Sequence, residues 1–366
     1  MSQSLWELSQ NLSLPLKRSK NLCPKCHHQA VSIEENYAKC WCCGWKCDRV
    51  GFLEAFAGMS RSEALSYSGV GKELQERDAL YQQVLIWCQQ DPEPAAKYLA
   101  SRGIDPGVYP HGYCPAGLLE SKLKPETLKR WGLCSQSGVN LLKNRAIFPV
   151  YSLQGELVHF QARSLDPESE LRWVSTTGFR PINEYLFNGH RWVGLQPEVL
   201  FICEGISDTL SLASLKLSAV GTFGIYPPFS RWLDCLAGAK HIVLAYDSDR
   251  HPLGHPKAKQ YISWPSVLER WSWVYGELKA PAYTLQLPPE YKDINEWLVK
   301  SHASMRILQQ YLAEAPAVEE FVTVCGSPEA QVRILSKGKR PELWEKWQKD
   351  HQQDWAEILQ ELVWRE

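Results

Sequence analysis

Two clusters in this chain bring together residue types that could do chemistry. Glu204 and Asp208 follow an apolar run in EVLFICEGISD, Asp247 and Asp249 follow another in HIVLAYDSD, and Asp293 stands in YKDINEWL. Gathered carboxylates repel one another unless a cation joins them, and an all-oxygen donor set selects Mg²⁺ or Mn²⁺, ions that share their shell with phosphates. Read singly, Asp208 could cap a helix and Asp249 begin a turn, but that leaves their coincidence unexplained. The second cluster is CPKCHHQAVSIEENYAKCWCCGWKCD, residues 23 to 48. Cys23 and Cys26 form one pair, Cys40 and Cys43 another, and thirteen residues lie between them. Two such pairs offer tetrahedral zinc four thiolates and leave no position for substrate, so the ion is structural. Four neighbours compete for the role. Cys42 points away if both its neighbours ligate, Cys47 breaks the pair spacing, and His27 or His28 could replace Cys26, which has the better spacing. Buried free cysteines rarely fall into this pattern.

The cysteine segment is also locally basic. Residues 17 to 49 hold Lys17, Arg18, Lys20, Lys25, Lys39, Lys46 and Arg49 against Glu34, Glu35 and Asp48, interleaved with Tyr37, Trp41 and Trp45. Such a surface suits single-stranded nucleic acid; the alternative is a solvated basic face over a small aromatic core.

The elements that must position the carboxylates read as strands. Residues 199 to 203 and 242 to 246 are apolar without alternation, which predicts strands covered on both faces, hence a parallel sheet with helices around it. TLSLASLKLSAVGTFG fits a helix leading to a third strand. In open α/β sheets the working residues lie beyond the carboxyl ends of the strands, and both acidic strands deliver carboxylates there. Composition bounds the rest. The chain has 366 residues, 44% of them hydrophobic, with no long apolar run, which predicts a soluble, globular protein of two or three domains. Six of its twelve cysteines (Cys88, Cys114, Cys134, Cys203, Cys235, Cys325) are scattered singly; this excludes a secreted disulfide framework and suits the cytoplasm, as does the lack of a signal peptide. The net charge of −1 leaves any nucleic-acid partner to be met by local patches. No Gly-x-x-x-x-Gly-Lys-Ser/Thr loop occurs in these residues, so no phosphate loop of that kind is expected here.

Glu204-Gly205-x-x-Asp208 followed by Asp247-x-Asp249 resembles a TOPRIM domain, shared by bacterial DnaG-type primases, topoisomerases and some nucleases. The upstream motifs resemble the primases. NRAIFPVYSLQGELVHFQARSL is similar to the segment in which they carry a basic residue before a Phe-Pro strand and a second in Gly/Ala-Arg-x-Leu, which gives those places to Arg145 and Arg163. RWVSTTG resembles their Lys-Tyr-Leu-Asn-Ser motif, with Arg172 in the lysine position. AAKYLASRGID, with Tyr98, Leu99, Arg102 and Gly103, is similar to the start of the polymerase core, and GYCPAG to a Gly-Tyr-Ala-Pro stretch. YAKCWCCGWKCD and VGFLEAFAGMSRSEAL resemble the family's zinc segment and the helix after it, so the resemblance runs from about residue 20 to 298 in the family's order. Departures are Cys26 where many primases have histidine, Cys47 where glycine is usual, and RHPLGHPKAK in place of a tight Ala-Gly turn after Asp249.

The resemblance implies an α/β chain, α+β overall, with an N-terminal zinc ribbon, a DnaG-like RNA polymerase core containing a TOPRIM parallel sheet, and a short helical tail. The implied domains are a template-binding ribbon at 1–60, the N-terminal part of the core at 76–197, the TOPRIM domain at 198–299 and the tail at 300–366. It further implies metal-dependent synthesis of short RNA primers on single-stranded DNA from ribonucleoside triphosphates, in the cytoplasm and without a membrane partner. Glu204, Asp208, Asp247 and Asp249 would be catalytic. Mg²⁺ or Mn²⁺ would be held by Glu204, Asp247, Asp249 and Asp293, and phosphates by Arg145, Arg163 and Arg172. One Zn²⁺ would sit on Cys23, Cys26, Cys40 and Cys43. Relatives hold a replicative helicase through their C-terminal region; here PELWEKWQKDHQQDWAEILQELVW sets Leu343, Trp347, Trp355, Ile358 or Leu359, and Leu362 near one stripe, which equally suits packing on its own core. A TOPRIM nuclease or topoisomerase-like enzyme, and a non-catalytic single-strand-binding protein on a primase scaffold, are the alternatives.

Overall fold

A computed structural model describes residues 4–35, 37–59, 64, 70–178, 180–225, 232–248, 263–302 and 305–350. Asp249, the segment from Arg250 to Lys259, and Trp355, Ile358, Leu359 and Leu362 lie outside the described residues. The chain divides into two compact units, residues 1–76 with 351–366, and residues 77–350.

The first unit is a ribbon framed by helices. Helix α1 (Leu5–Asn11) begins in a reciprocal cap, in which Ser4 Oγ accepts from the Glu7 N–H and the Glu7 carboxylate accepts from the Ser4 N–H. Strands β1 (Asn21–Leu22), β2 (Gln29–Ile33), β3 (Ala38–Cys40) and β4 (Lys46–Cys47) pair antiparallel in sequence order. Helix α2 (Arg49–Ala57) starts on Asp48, whose side chain accepts from the Gly51 N–H, and ends on left-handed Gly58. Leu5, Leu8, Val31, Phe52 and Leu53 close a small core around buried Cys23 and Cys40. So few apolar residues make a marginal core, which is where a bound metal contributes folding energy.

Helix α3 (Val70–Cys88) contains the boundary between the units. In the second unit its Tyr81, Val84 and Leu85 pack with Ile147, Leu157 and Phe160 of an antiparallel sheet. That sheet runs β5 (Gly112–Cys114), β6 (Arg145–Tyr151), β7 (Leu157–Ser164) and β8 (Trp173–Ser175), again in sequence order. Pro149 is tolerated inside β6 because β5 pairs with β6 only as far as Ile147, so the missing N–H falls where β6 has a neighbour on one side. Helix α4 (Glu93–Ser101) lies in a cluster with this sheet, and α5 (Leu118–Lys122) and α6 (Pro125–Arg130) follow.

The second sheet of this unit is parallel throughout. Its strands are β9 (Val199–Cys203), β10 (Ser218–Gly221), β11 (His241–Ala245) and β12 (Ala282–Thr284), in the order β10-β9-β11-β12. All of β9 and β11 after their first residues is buried, as unalternating apolar runs require. Helix α7 (Ile206–Ser214) leaves β9. Its Ile206 and Leu210 join a cluster with Leu99 of α4 and Phe148 of β6, so one core ties the two sheets. The short α8 (Leu233–Leu236) precedes β11. Helix α9 (Trp264–Ser272) buries Trp264 and Trp271, the latter donating from Nε1 to the Tyr246 hydroxyl at 3.2 Å. Helices α10 (Ile294–Ser301), α11 (Met305–Ala313), α12 (Val318–Cys325), α13 (Pro328–Leu335) and α14 (Pro341–Asp350) complete the unit. Trp347 of α14 is buried and donates from Nε1 to Gln331 Oε1 on α13 at 2.6 Å. The described part of the tail therefore packs on its own helices. No described helix is long and apolar enough to cross a membrane.

Candidate active site and metal centre

The sulfurs of Cys23, Cys26, Cys40 and Cys43 all lie within 4.8 Å of one another, with Cys23 to Cys43 and Cys26 to Cys40 each at 3.7 Å. A tetrahedral zinc with bonds of about 2.3 Å needs sulfur–sulfur edges of about 3.8 Å, so the cage fits the ion. Two matching turns build it. The His27 N–H donates to Cys23 O at 3.0 Å and the Cys23 N–H to His28 O; the Gly44 N–H donates to Cys40 O at 3.1 Å and the Cys40 N–H to Trp45 O. His27 (φ 59°) and Gly44 (φ 71°) take the same left-handed slot. His27 therefore closes a turn and stays outside the cage. Cys47 lies on β4 opposite Ala38, and Cys42 is exposed. Outside the cage, Lys39 sits 4.1 Å over the Trp41 ring and Lys46 3.9 Å over Tyr37, while Trp45 packs edge-on against Phe56. Trp41 is 67% exposed and Tyr37 half-buried, each beside a cation, while Trp45 packs with the core.

At the parallel sheet, Cys203 and Ala245 are register partners, so Glu204 follows one residue beyond that level on β9 and Asp247 two residues beyond it on the adjacent β11. Asp247 has a side chain 15% exposed and an ion pair with Lys292 at 3.3 Å. The backbone joins these segments as well, the Ser248 N–H donating to Lys292 O at 2.7 Å. Asp293 caps α10, accepting from the Glu296 N–H at 2.7 Å. Asp208, in the first turn of α7, accepts from the Asn295 N–H at 3.2 Å. Burial pushes the Asp208 carboxyl well above the usual carboxylate range, and Asp293 and Asp247 push it further. Asp208, Asp247 and Asp293 thus share one electrostatic environment. Among the described residues no three carboxylates converge within 4.8 Å, and Asp249 is not among them.

The arginines gather at one end of the antiparallel sheet. Arg145 opens β6 and donates from Nη1 to Leu171 O at 2.8 Å and to Arg172 O at 3.4 Å. It thereby holds the backbone that presents exposed Arg172. Arg163 on β7 lies 5.7 Å from the Tyr98 ring centre and 5.5 Å from that of Trp173. Burial lowers its pKa, with repulsion from Arg172 and Arg102 adding to the effect. Arg102 had no role in the sequence reading, yet its charge reaches both Arg163 and Glu296 of α10. Asn295, also missed, donates from Nδ2 to Arg102 O and to Ser211 Oγ, each at 2.8 Å. One amide thus joins the end of α4, the α7 that carries Asp208, and the α10 capped by Asp293.

The chain thus consists of a four-cysteine ribbon, an antiparallel sheet and a parallel sheet with carboxylates at its carboxyl edge. The fold is that of the zinc-binding and RNA polymerase domains of bacterial DnaG-type primases. The Aquifex aeolicus primase structure of those two domains aligns over 87% of this chain and 84% of its own, with a TM-score of 0.51 and 20% identity. A DnaG primase catalytic domain bound to single-stranded DNA aligns over 74% of this chain and 97% of its own, with a TM-score of 0.57 and 16% identity. In sequence, the Thermotoga maritima DNA primase is 23% identical over 322 residues, 78% of this chain and 54% of that protein. The chain spans about half or less of the curated relatives it matches. No family model matches the chain. The likeness to DnaG-type primases read from the motifs therefore stands in both sequence and fold.

Proposed function

We propose that this chain synthesises short RNA primers on single-stranded DNA by metal-dependent nucleotidyl transfer. The observation that carries the reading is that hydrogen bonds and an ion pair tie the segments of Asp208, Asp247 and Asp293 together beyond the carboxyl ends of β9 and β11, in a fold like that of DNA primases. Gathering like charges around a buried carboxyl is unfavourable until a cation joins them, and an oxygen-only donor set fits a hard divalent ion. Glu204, Asp247, Asp249 and Asp293 would hold Mg²⁺ or Mn²⁺, with Asp208 behind them. When bound, the ion would lower the pKa of the attacking 3′-hydroxyl and stabilise the departing pyrophosphate. Glu204 could equally accept the hydroxyl proton. Arg163 and Arg172 would grip triphosphate or template phosphates through forked hydrogen bonds, and Arg145 would keep Arg172 in place. Residues 1–60 would grip the template, with Trp41 and Tyr37 as stacking surfaces beside Lys39 and Lys46. Residues 76–197 and 198–299 would form the catalytic core, and 300–366 a tail that also serves any helicase contact.

Labelled ribonucleotide incorporation on single-stranded templates of varied sequence, with Mg²⁺ or Mn²⁺, tests the reading. Oligoribonucleotides made by the parent protein and not by Asp247→Asn are expected. Binding of every template without incorporation would leave a single-strand-binding protein, and nicking of supercoiled DNA would move the chain to the nucleases.

A further inference from the structure

The tip of the ribbon carries a second group of metal-binding side chains, overlapping the four-thiolate cage at one residue. Cys26 Sγ, a ring nitrogen of His28 and Cys42 Sγ all lie within 4.8 Å of one another. The matching turns explain why. Left-handed His27 turns the chain so that His28 follows Cys26 on the outside, and Cys42 occupies the outside of the second turn, one residue before Cys43. His28 and Cys42 are exposed and Cys26 is half-buried, so the group opens to solvent while the cage is largely enclosed.

We propose that Cys26, His28 and Cys42 form a second site for a soft d¹⁰ cation of the Zn²⁺ class. The Cys26 thiolate bridges this ion to the one in the cage, His28 and Cys42 are terminal ligands, and a fourth position is open to water or an incoming ligand. Ligand chemistry supports the choice, because thiolate and imidazole together select Zn²⁺ and related soft ions over hard ones. Charge supports it as well. Four thiolates around one dication leave two negative charges, and Cys42 as a thiolate makes three. A second dication reduces that to one. A thiolate sulfur bonded to one metal keeps lone pairs for another, so Cys26 can serve both without leaving the cage. Simple migration of a single ion to the outer group is disfavoured, since it would exchange Cys23, Cys40 and Cys43 for one thiolate and one imidazole. The cage fills first, and the exposed site follows with lower affinity. This inference does not depend on primer synthesis.

Metal stoichiometry tests it. The full chain is dialysed against buffered Zn²⁺ over a range of free concentrations, and bound metal is counted; ¹¹³Cd²⁺ is then used as the spectroscopic probe. Two equivalents are expected, the second retained more weakly, with two cadmium resonances. Cys42→Ser and His28→Asn should each bind one equivalent and keep the circular dichroism of the ribbon. Saturation of the parent protein at one equivalent would overturn the proposal without reference to any variant. Retention of two equivalents by both variants would overturn it equally.

Discussion

Asp247 follows β11 by two residues, with its side chain 15% exposed and Lys292 3.3 Å away. Asp247→Asn nearly conserves volume, and the lysine it releases is 59% exposed, so water can solvate that charge. We expect melting without Mg²⁺ to be unchanged or slightly higher, single-strand binding to be near normal, and primer synthesis to fall about a hundredfold or more. Melting, binding and incorporation measured side by side check this; a folded variant working at the parental rate would refute the catalytic role. At this scale legibility was uneven. Glu204 and Asp247 announce themselves because an apolar strand that ends in a carboxylate is a short-range pattern. His27 looked like a possible ligand because sequence shows residue type and spacing but not φ. Arg102 stands in the core-start motif without a role of its own, and its meeting with Asn295 gave no signal, since it joins positions 193 residues apart. A signal was available for Asn295 only in hindsight, as a buried amide two residues after a capping aspartate.

The ribbon's strands are two to five residues long, and its core is small, so its fold should stand or fall with the four thiolates. Cys40→Ser is expected to lose the cage ion and unfold the ribbon, whereas Cys47→Ser should keep both; bound zinc and circular dichroism distinguish the outcomes. In the second unit the joint between α4 and α10 is the vulnerable one. Gly103 ends α4 at φ 66°, and a Cβ there would lie 2.9 Å from Val299 Cγ2 on α10. Gly103→Ala should cost about 1–2 kcal/mol from the left-handed backbone alone. It should also shift α10, on which Asp293 and Asn295 sit, so incorporation should fall more than stability; denaturant melts beside turnover check it. The elements themselves were readable from their apolar periods, including the strands at 199–203 and 242–246, the second of which the structure sets one residue earlier. The joints between elements were not readable, because they depend on which side chains meet across turns of unspecified length.

For the molecule as a whole, acid should be the weak side. Burial pushes His159 down to about 4, against the pull of Thr176 O and Arg180 O on its ring nitrogens, and burial beside Arg191 pushes His190 down to about 4 as well. Both pKa values are depressed in the folded state, so unfolding takes up protons below the ordinary histidine value of about 6.5. The stability contributed by neutral His159 and His190 is present above that pH and is lost as pH falls toward about 4. Denaturation midpoints should drop between pH 7 and pH 5, and the drop should shrink in His159→Gln, provided that variant folds at pH 7. The order β10-β9-β11-β12 has a further consequence, in time. Each parallel pairing must wait for a crossover, and β12 pairs with β11 only after residue 282 has been made. Contacts so distant in sequence form slowly, whereas the ribbon's hairpins are local. During synthesis from the N-terminus the ribbon can therefore acquire its metal while the acidic edge is still open chain, leaving hydrophobic β9 exposed until its neighbours arrive. Refolding followed by two probes should show zinc-dependent ribbon signals recovering well before Trp264 and Trp271 are buried, and simultaneous recovery would refute the sequence of events.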